Sequence, residues 1–492
     1  MTLRSQMRQL SSQSLVYGLS GALSKLVGLV MTPILLRIFQ PGEFAVLDLV
    51  TAFGTAIGAV LLLGSDAAVG YYYYREVDDD GRQRLLSTWL LFQFTLSTLV
   101  GAIIFILADP ITNHLLSSSA HNDLYLQITG IVLPLTTTTA YCLEILRLQL
   151  QPRRYLFVST TNIAFGFLIS LILVVALHKG IPGVYVASAL SNVVAFSAAL
   201  IATGSTFRLR FSLVRLRQVL VFGIPLVPIT VSSWAIAMAN RLFIKANSGM
   251  ADVGLFSAGN KVAQILLLAV TAFLLAWGPF AYSIAEEPDA KRTYAKVLTY
   301  YVAVLGWLVV ALSLLAPLIL HVASRPTYAR AYQVVPPLTL SLLVGGAYSI
   351  VALGASLSRK TIHLTWTTVL GAGVTVCLNV LLLPIPLLSL VGGALASLGG
   401  NLLWVGLVFV VSQRLYFIPY ETSKVFRCAL LLALLLLFGQ VEHGWLASLS
   451  IPDLLLRSLL TGAYPFLLVR LGVIEPHEAE LILNRITARL KH

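Results

Sequence analysis

Charged side chains are scarce in this sequence. Asp, Glu, Lys and Arg make up 11% of its 492 residues, where a soluble globular chain carries about 25%. That shortage excludes an ordinary solvated domain. Cysteine is rarer still: Cys142, Cys377 and Cys428 lie far apart inside apolar segments, a spacing that fits neither a disulfide framework nor a zinc site. No polar stretch is long enough to fold as a separate domain, so the net charge of +13 belongs to no nucleic-acid-binding module. The polar/apolar alternation of a membrane barrel is missing too.

What is present is apolar run after apolar run. Apolar residues make up 58% of the chain, in stretches of about twenty, each long enough to cross a hydrocarbon core of about 30 Å as a helix. The expected fold is an all-α integral membrane protein with about fourteen spans, near 14–39, 44–66, 85–107, 124–147, 155–177, 182–203, 218–241, 253–277, 294–320, 332–357, 361–383, 389–413, 425–441 and 454–472. The first run follows MTLRSQMRQLSSQ, is longer than a signal-peptide core and lacks a small-residue cleavage site, so a retained helix is expected.

Basic loops stay in the cytoplasm. With both termini inside, most of the 33 lysines and arginines border cytoplasmic connections, while Lys179, Arg241, Lys245, Arg325 and Arg330 fall on the outer side and Lys25, Arg37, Lys261 and Arg457 within spans. This asymmetry predicts the orientation and explains most of the net charge.

An internal repeat is visible. GVYVASALSN at 183–192 recurs as GGALASLGGN at 392–401, so that Gly183, Ala187, Ser188 and Asn192 map to Gly392, Ala396, Ser397 and Asn401 at a constant offset of 209 residues. The same offset carries FAVLD (44–48) onto VGLFS (253–257). Two six-helix lobes of the same orientation follow, 1–203 and 204–413, with two additional helices and a cytoplasmic tail in 414–492. Small residues at spacing four also pack membrane helices closely, which is a second origin for the pattern.

An ionisable side chain at membrane depth costs about 2.5–3.5 kcal/mol on insertion scales unless it meets water or a partner. Lys25 and Arg37 are twelve residues apart on the first span and diverge by about 120° around an ideal helix, an angle that Pro33 can alter. Two readings stand: Arg37 snorkels to the outer interface while Lys25 pairs with an acid, or both join Arg241 and Lys261 in a cationic, substrate-binding cavity between the lobes.

Three acids lie in or beside spans: Asp48, Asp66 and Glu144. Glu144 and Arg147 share a helix face and predict an ion pair at i, i+3. Asp48 has the position to face Arg37 across the QPGEF connection; either aspartate could instead exchange protons or bind sodium. YYYYREVDDDGRQR (71–84) reads as an interfacial aromatic band with a solvated loop, and its aspartates form no calcium loop or glycosyltransferase metal site. The tail EPHEAELILNRITARLKH puts Leu483, Ile486 and Leu490 on one face and is expected on the anionic inner leaflet. No metal site and no catalytic group are expected.

Three stretches, YGLSGALSKLVGLVMTPILLRIFQPGEFAVLDLV, LLLGSDAAVGYYYYR and above all residues 222–280, resemble the polysaccharide-biosynthesis flippases of the multidrug/oligosaccharidyl-lipid/polysaccharide exporter superfamily. The resemblance implies two six-helix lobes around a cavity that opens alternately to each side. It implies a cargo of undecaprenyl-diphosphate-linked oligosaccharide, no cofactor beyond coupling to a Na+ or H+ gradient, and polysaccharide polymerase and glycosyltransferases as partners beside the membrane lipids. It implies cavity roles for Lys25, Arg37, Arg241 and Lys261. One departure is visible: the family pattern often has an acid before the arginine where this chain has Asn240 before Arg241, which predicts an Arg241 freer to meet a ligand.

The expected function is therefore a non-enzymatic flippase of a bacterial inner membrane. The rival of the same fold is an ion-coupled multidrug exporter, for which a cation excess is unsuited. A membrane-embedded saccharide polymerase or ligase is the rival from another class, and the short outer connections argue against it.

Overall fold

A computed structural model describes residues 21, 23–116, 122–207, 210–358, 362–441 and 450–474. The amphipathic tail with Leu483, Ile486 and Leu490 lies outside the described residues, as does the start of the first span.

Helix α1 covers 23–38. It is followed by α2 (Pro41–Leu61), α3 (Ser65–Arg75), α4 (Asp79–Ile106), α5 (Ala108–Leu115), α6 (Asn122–Leu148), α7 (Pro152–Ser170) and α8 (Gly180–Thr203). The chain continues through α9 (Leu213–Gly223), α10 (Val227–Ser248), α11 (Met250–Ser283), α12 (Ala290–Leu314), α13 (Ala316–Ala323) and α14 (Val335–Val351). It ends in α15 (Leu353–Leu357), α16 (Ile362–Leu382), α17 (Gly392–Leu415), α18 (Thr422–Val441) and α19 (Ile451–Arg470). The described residues are helical throughout, without a strand, and ten of the helical runs are long and apolar enough to cross a membrane. Over the described residues, each of the fourteen expected spans coincides with a helix or with consecutive helices.

Local chemistry sets the punctuation. Pro41 opens α2, where a missing N–H does no harm, and the Glu43 carboxylate accepts the Gln40 N–H at 2.8 Å. Leu63 and Gly64 take positive φ of 48° and 68°, turning the chain between α2 and α3. The 294–320 expectation ran too far, because α12 stops at Leu314, whereas α4 ends at Ile106, one residue short of the expected 107. A separate eight-residue helix follows each, α5 or α13.

The chain divides into two compact units, Met1–Met238 and Ala239–His492. In the first, α6 packs against α2, α4 and α8, and α8 against α7; in the second, α14 packs against α11, α12 and α17, and α17 against α16. The same pairings thus recur six spans apart. Burial follows the repeat: Phe44 through Val50 of α2 are seven consecutive buried residues, and so are their equivalents Val253 through Gly259 of α11. The unit boundary falls inside α10 because α9 packs on α3 and α4 of the first unit. Outside the repeat, α18 and α19 pack on α12.

Candidate functional site

Each predicted cation has a defined place. Lys25 and Arg37 are exposed on α1, whereas the neighbouring Leu36 and Phe39 are buried. Both cations make further interactions within the protein. In the second unit, Lys261 is half-buried on α11 and Arg241 is only 9% exposed on α10. The expectation of a freer Arg241 is corrected: it is buried and already engaged with protein groups.

A network of amides lies next to it. Asn240 donates from Nδ2 to Ser397 Oγ at 2.7 Å and accepts on Oδ1 from Asn379 Nδ2 at 2.8 Å. Asn379 also donates to the Thr375 carbonyl at 2.8 Å, and Ser397 to that of Gly393 at 3.0 Å. The chain of amides ties α10 to α16 and α17 without a carboxylate. Asn379 is fully buried, and its Oδ1 has no hydrogen-bond partner among the described residues. The spacing of Asn379 from Asn240 along the chain hid this network from the sequence.

Among the acids, Glu144 pairs with Arg147 at 3.2 Å as the i, i+3 spacing predicts. Asp48 is buried and engaged within the protein, and Asp66 is exposed in the first turn of α3. The acidic stretch after the tyrosines turns out to hold α9. Glu76 pairs with Arg215, Asp80 with Arg84 at 2.8 Å and with Arg210 at 3.1 Å, and the Ser212 N–H donates to Thr88 Oγ1 at 3.0 Å. The backbones of Gly64 and Gly223 approach so closely that a side chain at either would collide with the other segment. The aromatic band is recognisable beside it, with the Arg75 guanidinium 4.1 Å from the Tyr71 ring centroid.

Arg457, the remaining cation expected within a span, is also accounted for. Its Nε donates to Asp453 at 2.8 Å, one turn earlier on α19, and its Nη1 to the Leu314 carbonyl at the end of α12 at 3.1 Å.

A cavity of about 440 Å³ lies in the first unit between α2, α6 and α8. Thr51, Gly54, Thr55 and Gly58 of α2, Thr129, Thr136 and Thr137 of α6, and Tyr185 and Ser188 of α8 line it. Sequence reasoning missed it. The signal was there in TAFGTAIG (51–58), whose i, i+3, i+4, i+7 spacing puts Thr51, Gly54, Thr55 and Gly58 on one helix face.

Comparison with known proteins agrees with this architecture. The lipid II flippase MurJ in an inward closed conformation superposes with a TM-score of 0.72 at 13% identity, covering 93% of this chain and 99% of that one. An inward-facing multidrug resistance MATE family transporter of the MOP superfamily superposes with a TM-score of 0.65 at 16% identity, covering 82% and 96%. A variant of the Vibrio cholerae MATE transporter VcmN gives 0.57 at 13% identity, covering 84% and 97%. No curated protein matches the sequence. A family model described as polysaccharide biosynthesis protein matches residues 10–285, more than half of the chain. The chain is a multi-pass membrane protein with the fold of the MOP-superfamily transporters, and it belongs to the polysaccharide biosynthesis protein family.

Proposed function

We propose that the protein is a flippase of a bacterial inner membrane that moves an undecaprenyl-diphosphate-linked oligosaccharide from the cytoplasmic to the outer leaflet by alternating access, with both termini cytoplasmic. The observation that carries this reading is the family match over residues 10–285 on a fold shared with a lipid II flippase. Physical chemistry supplies the logic. A diphosphate does not enter hydrocarbon unaided, and cations lining a wet path lower the barrier while the lipid tail stays among the helices. Lys25 and Arg37 are suited to that path because they are exposed on a span. Arginine offers phosphate a fork of donors that lysine lacks. Arg241 and Lys261 extend the set in the second unit, with Arg241 acting from a buried position.

Nothing in this reading requires a chemical step, so the protein acts without being an enzyme. Asp48, Asp66 and Glu144 are the acids we assign to coupling to a Na+ or H+ gradient, Asp48 and Glu144 acting from the interactions they already make. Polysaccharide polymerase and glycosyltransferases are the partners that such cargo requires.

The fold is shared with multidrug MATE transporters, so drug export is the rival reading. Reconstituted vesicles discriminate the two. Inward-facing label on an undecaprenyl-diphosphate-linked oligosaccharide should become accessible from the opposite leaflet only with the protein present; an unchanged rate, together with export of a cationic dye, sinks the flippase reading. In cells, deletion should accumulate the diphosphate-linked saccharide on the inner leaflet.

A further inference from the structure

The cavity between α2, α6 and α8 has a chemistry unlike that of the cations. No charged side chain lines it. Four of its hydroxyls are already committed as donors on their own helices: Thr55 to the Thr51 carbonyl at 2.7 Å, Thr129 to that of Tyr125 at 2.7 Å, Thr136 to that of Leu133 at 2.8 Å and Thr137 to the same oxygen at 3.0 Å. A hydroxyl has one hydrogen, so what remains for an occupant is lone pairs. Tyr185 differs from these four. Its side chain is 6% exposed, and its Oη lines the cavity beside the Thr51 hydroxyl without a hydrogen bond of good geometry among the described residues. A buried hydroxyl left unpaired is costly, so it signals an absent partner.

An occupant must therefore bring donors, offer at least one acceptor and carry no net charge. A diphosphate fails, having acceptors only and no cation here to meet it. A bare metal ion fails as well: about 440 Å³ is many times the roughly 30 Å³ share of a water, and there is no carboxylate among the lining residues. A ring bearing several hydroxyl groups meets all three conditions. The volume lies in the roughly 300–1,000 Å³ range of small-ligand sites, and the mainly apolar walls suit the C–H faces of such a ring.

The repeat shows that this space is not a by-product of the fold. At the constant offset, Gly54, Gly58 and Ala59 correspond to Ala263, Leu267 and Leu268, so the second unit carries larger side chains where the first carries little or none. We infer that the α2/α6/α8 cavity is a subsite for an uncharged sugar ring of the cargo, separate from the cations that meet the diphosphate. The inference rests on the flippase reading and adds a division of labour to it.

The test compares two probes on the full-length protein in nanodiscs: undecaprenyl diphosphate and undecaprenyl diphosphate carrying an N-acetylglucosamine disaccharide. Wild type should bind the saccharide-bearing lipid about tenfold more tightly. Gly58→Leu fills the cavity without displacing backbone, because a Cβ there meets only Leu133 and Thr137 side chains at 4.0 Å. It should erase that difference while leaving binding of undecaprenyl diphosphate unchanged. The isosteric pair Thr55→Val and Thr136→Val, which keeps the shape and removes acceptors, should reduce the difference by several-fold, so a folding defect in the leucine variant does not decide the matter. Equal binding of the two lipids by wild type, or a full difference in both variants, overturns the sugar subsite and leaves the flippase reading standing. Binding of neither lipid by wild type overturns both.

Discussion

Replacing Arg457 tests how the two helices outside the repeat are held. The Arg457 and Asp453 side chains are 6% and 10% exposed and 2.8 Å apart, so the pair is buried rather than a screened surface contact. Arg457 also reaches the Leu314 carbonyl, at a helix end where carbonyls lack intrahelical donors. Removing one member of a buried pair strands the other charge, which costs about 3–5 kcal/mol. The two single variants should differ. In Arg457→Met, the stranded carboxylate sits in the first turn of α19, where the helix dipole returns about 0.3–1 kcal/mol, so the loss falls near the lower end at about 3 kcal/mol. In Asp453→Leu, the guanidinium keeps one carbonyl and no counter-charge, and the loss approaches about 5 kcal/mol. The double variant buries apolar groups instead and should recover to within about 1–3 kcal/mol of wild type, the remainder reflecting the Leu314 carbonyl left unpaired. Equilibrium unfolding of purified protein in mixed detergent reads all three. Single losses under about 1 kcal/mol, as for exposed pairs, or a double variant as unstable as the sum of the singles, would falsify the buried-pair argument.

Three further outcomes are expected. Arg37→Ala should abolish flipping of labelled lipid-linked oligosaccharide while leaving the melting temperature close to that of wild type, because the side chain is exposed; Arg37→Lys should restore transport only in part, keeping charge without the fork. Normal transport by Arg37→Ala would favour snorkelling instead. Asn240→Ala should lower unfolding stability by about 1–3 kcal/mol, since it removes a donor to Ser397 and an acceptor from buried Asn379; thermal melts read it, and an unchanged melt would contradict the network. Burial tends to raise the Glu421 carboxyl, but hydrogen bonds from Lys424 and Thr299 and the charges of Lys424 and Lys296 outweigh it and hold its pKa below the ordinary value. Its stabilisation is therefore present above the unfolded-state pKa of about 4.3 and is lost as pH falls through the lower folded value. Glu421→Gln should flatten the decline in melting temperature below about pH 5, and an identical decline in both proteins would refute the assignment.

What could be read directly from the chain was what local composition controls. A span is a stretch of about twenty apolar residues wherever it is later placed, so all fourteen helical segments were visible, and an i, i+3 pair such as Glu144–Arg147 needs only its own helix. The repeat was legible because its two copies kept their small residues, and the matching runs of burial at 44–50 and 253–259 show the same packing demand answered twice. Residues whose meaning depends on a distant partner were not legible. The bond from Arg457 to the Leu314 carbonyl exists only once α19 meets the end of α12, and the amide network of Asn240 only once Asn379 and Ser397 close on Asn240. The acids after the tyrosines looked merely solvated because Arg210 and Arg215 lie more than a hundred residues away. The cavity was hidden for the same reason: residues on three separate helices line one cavity only once packing sets those helices side by side, and no periodicity within one helix encodes that distance.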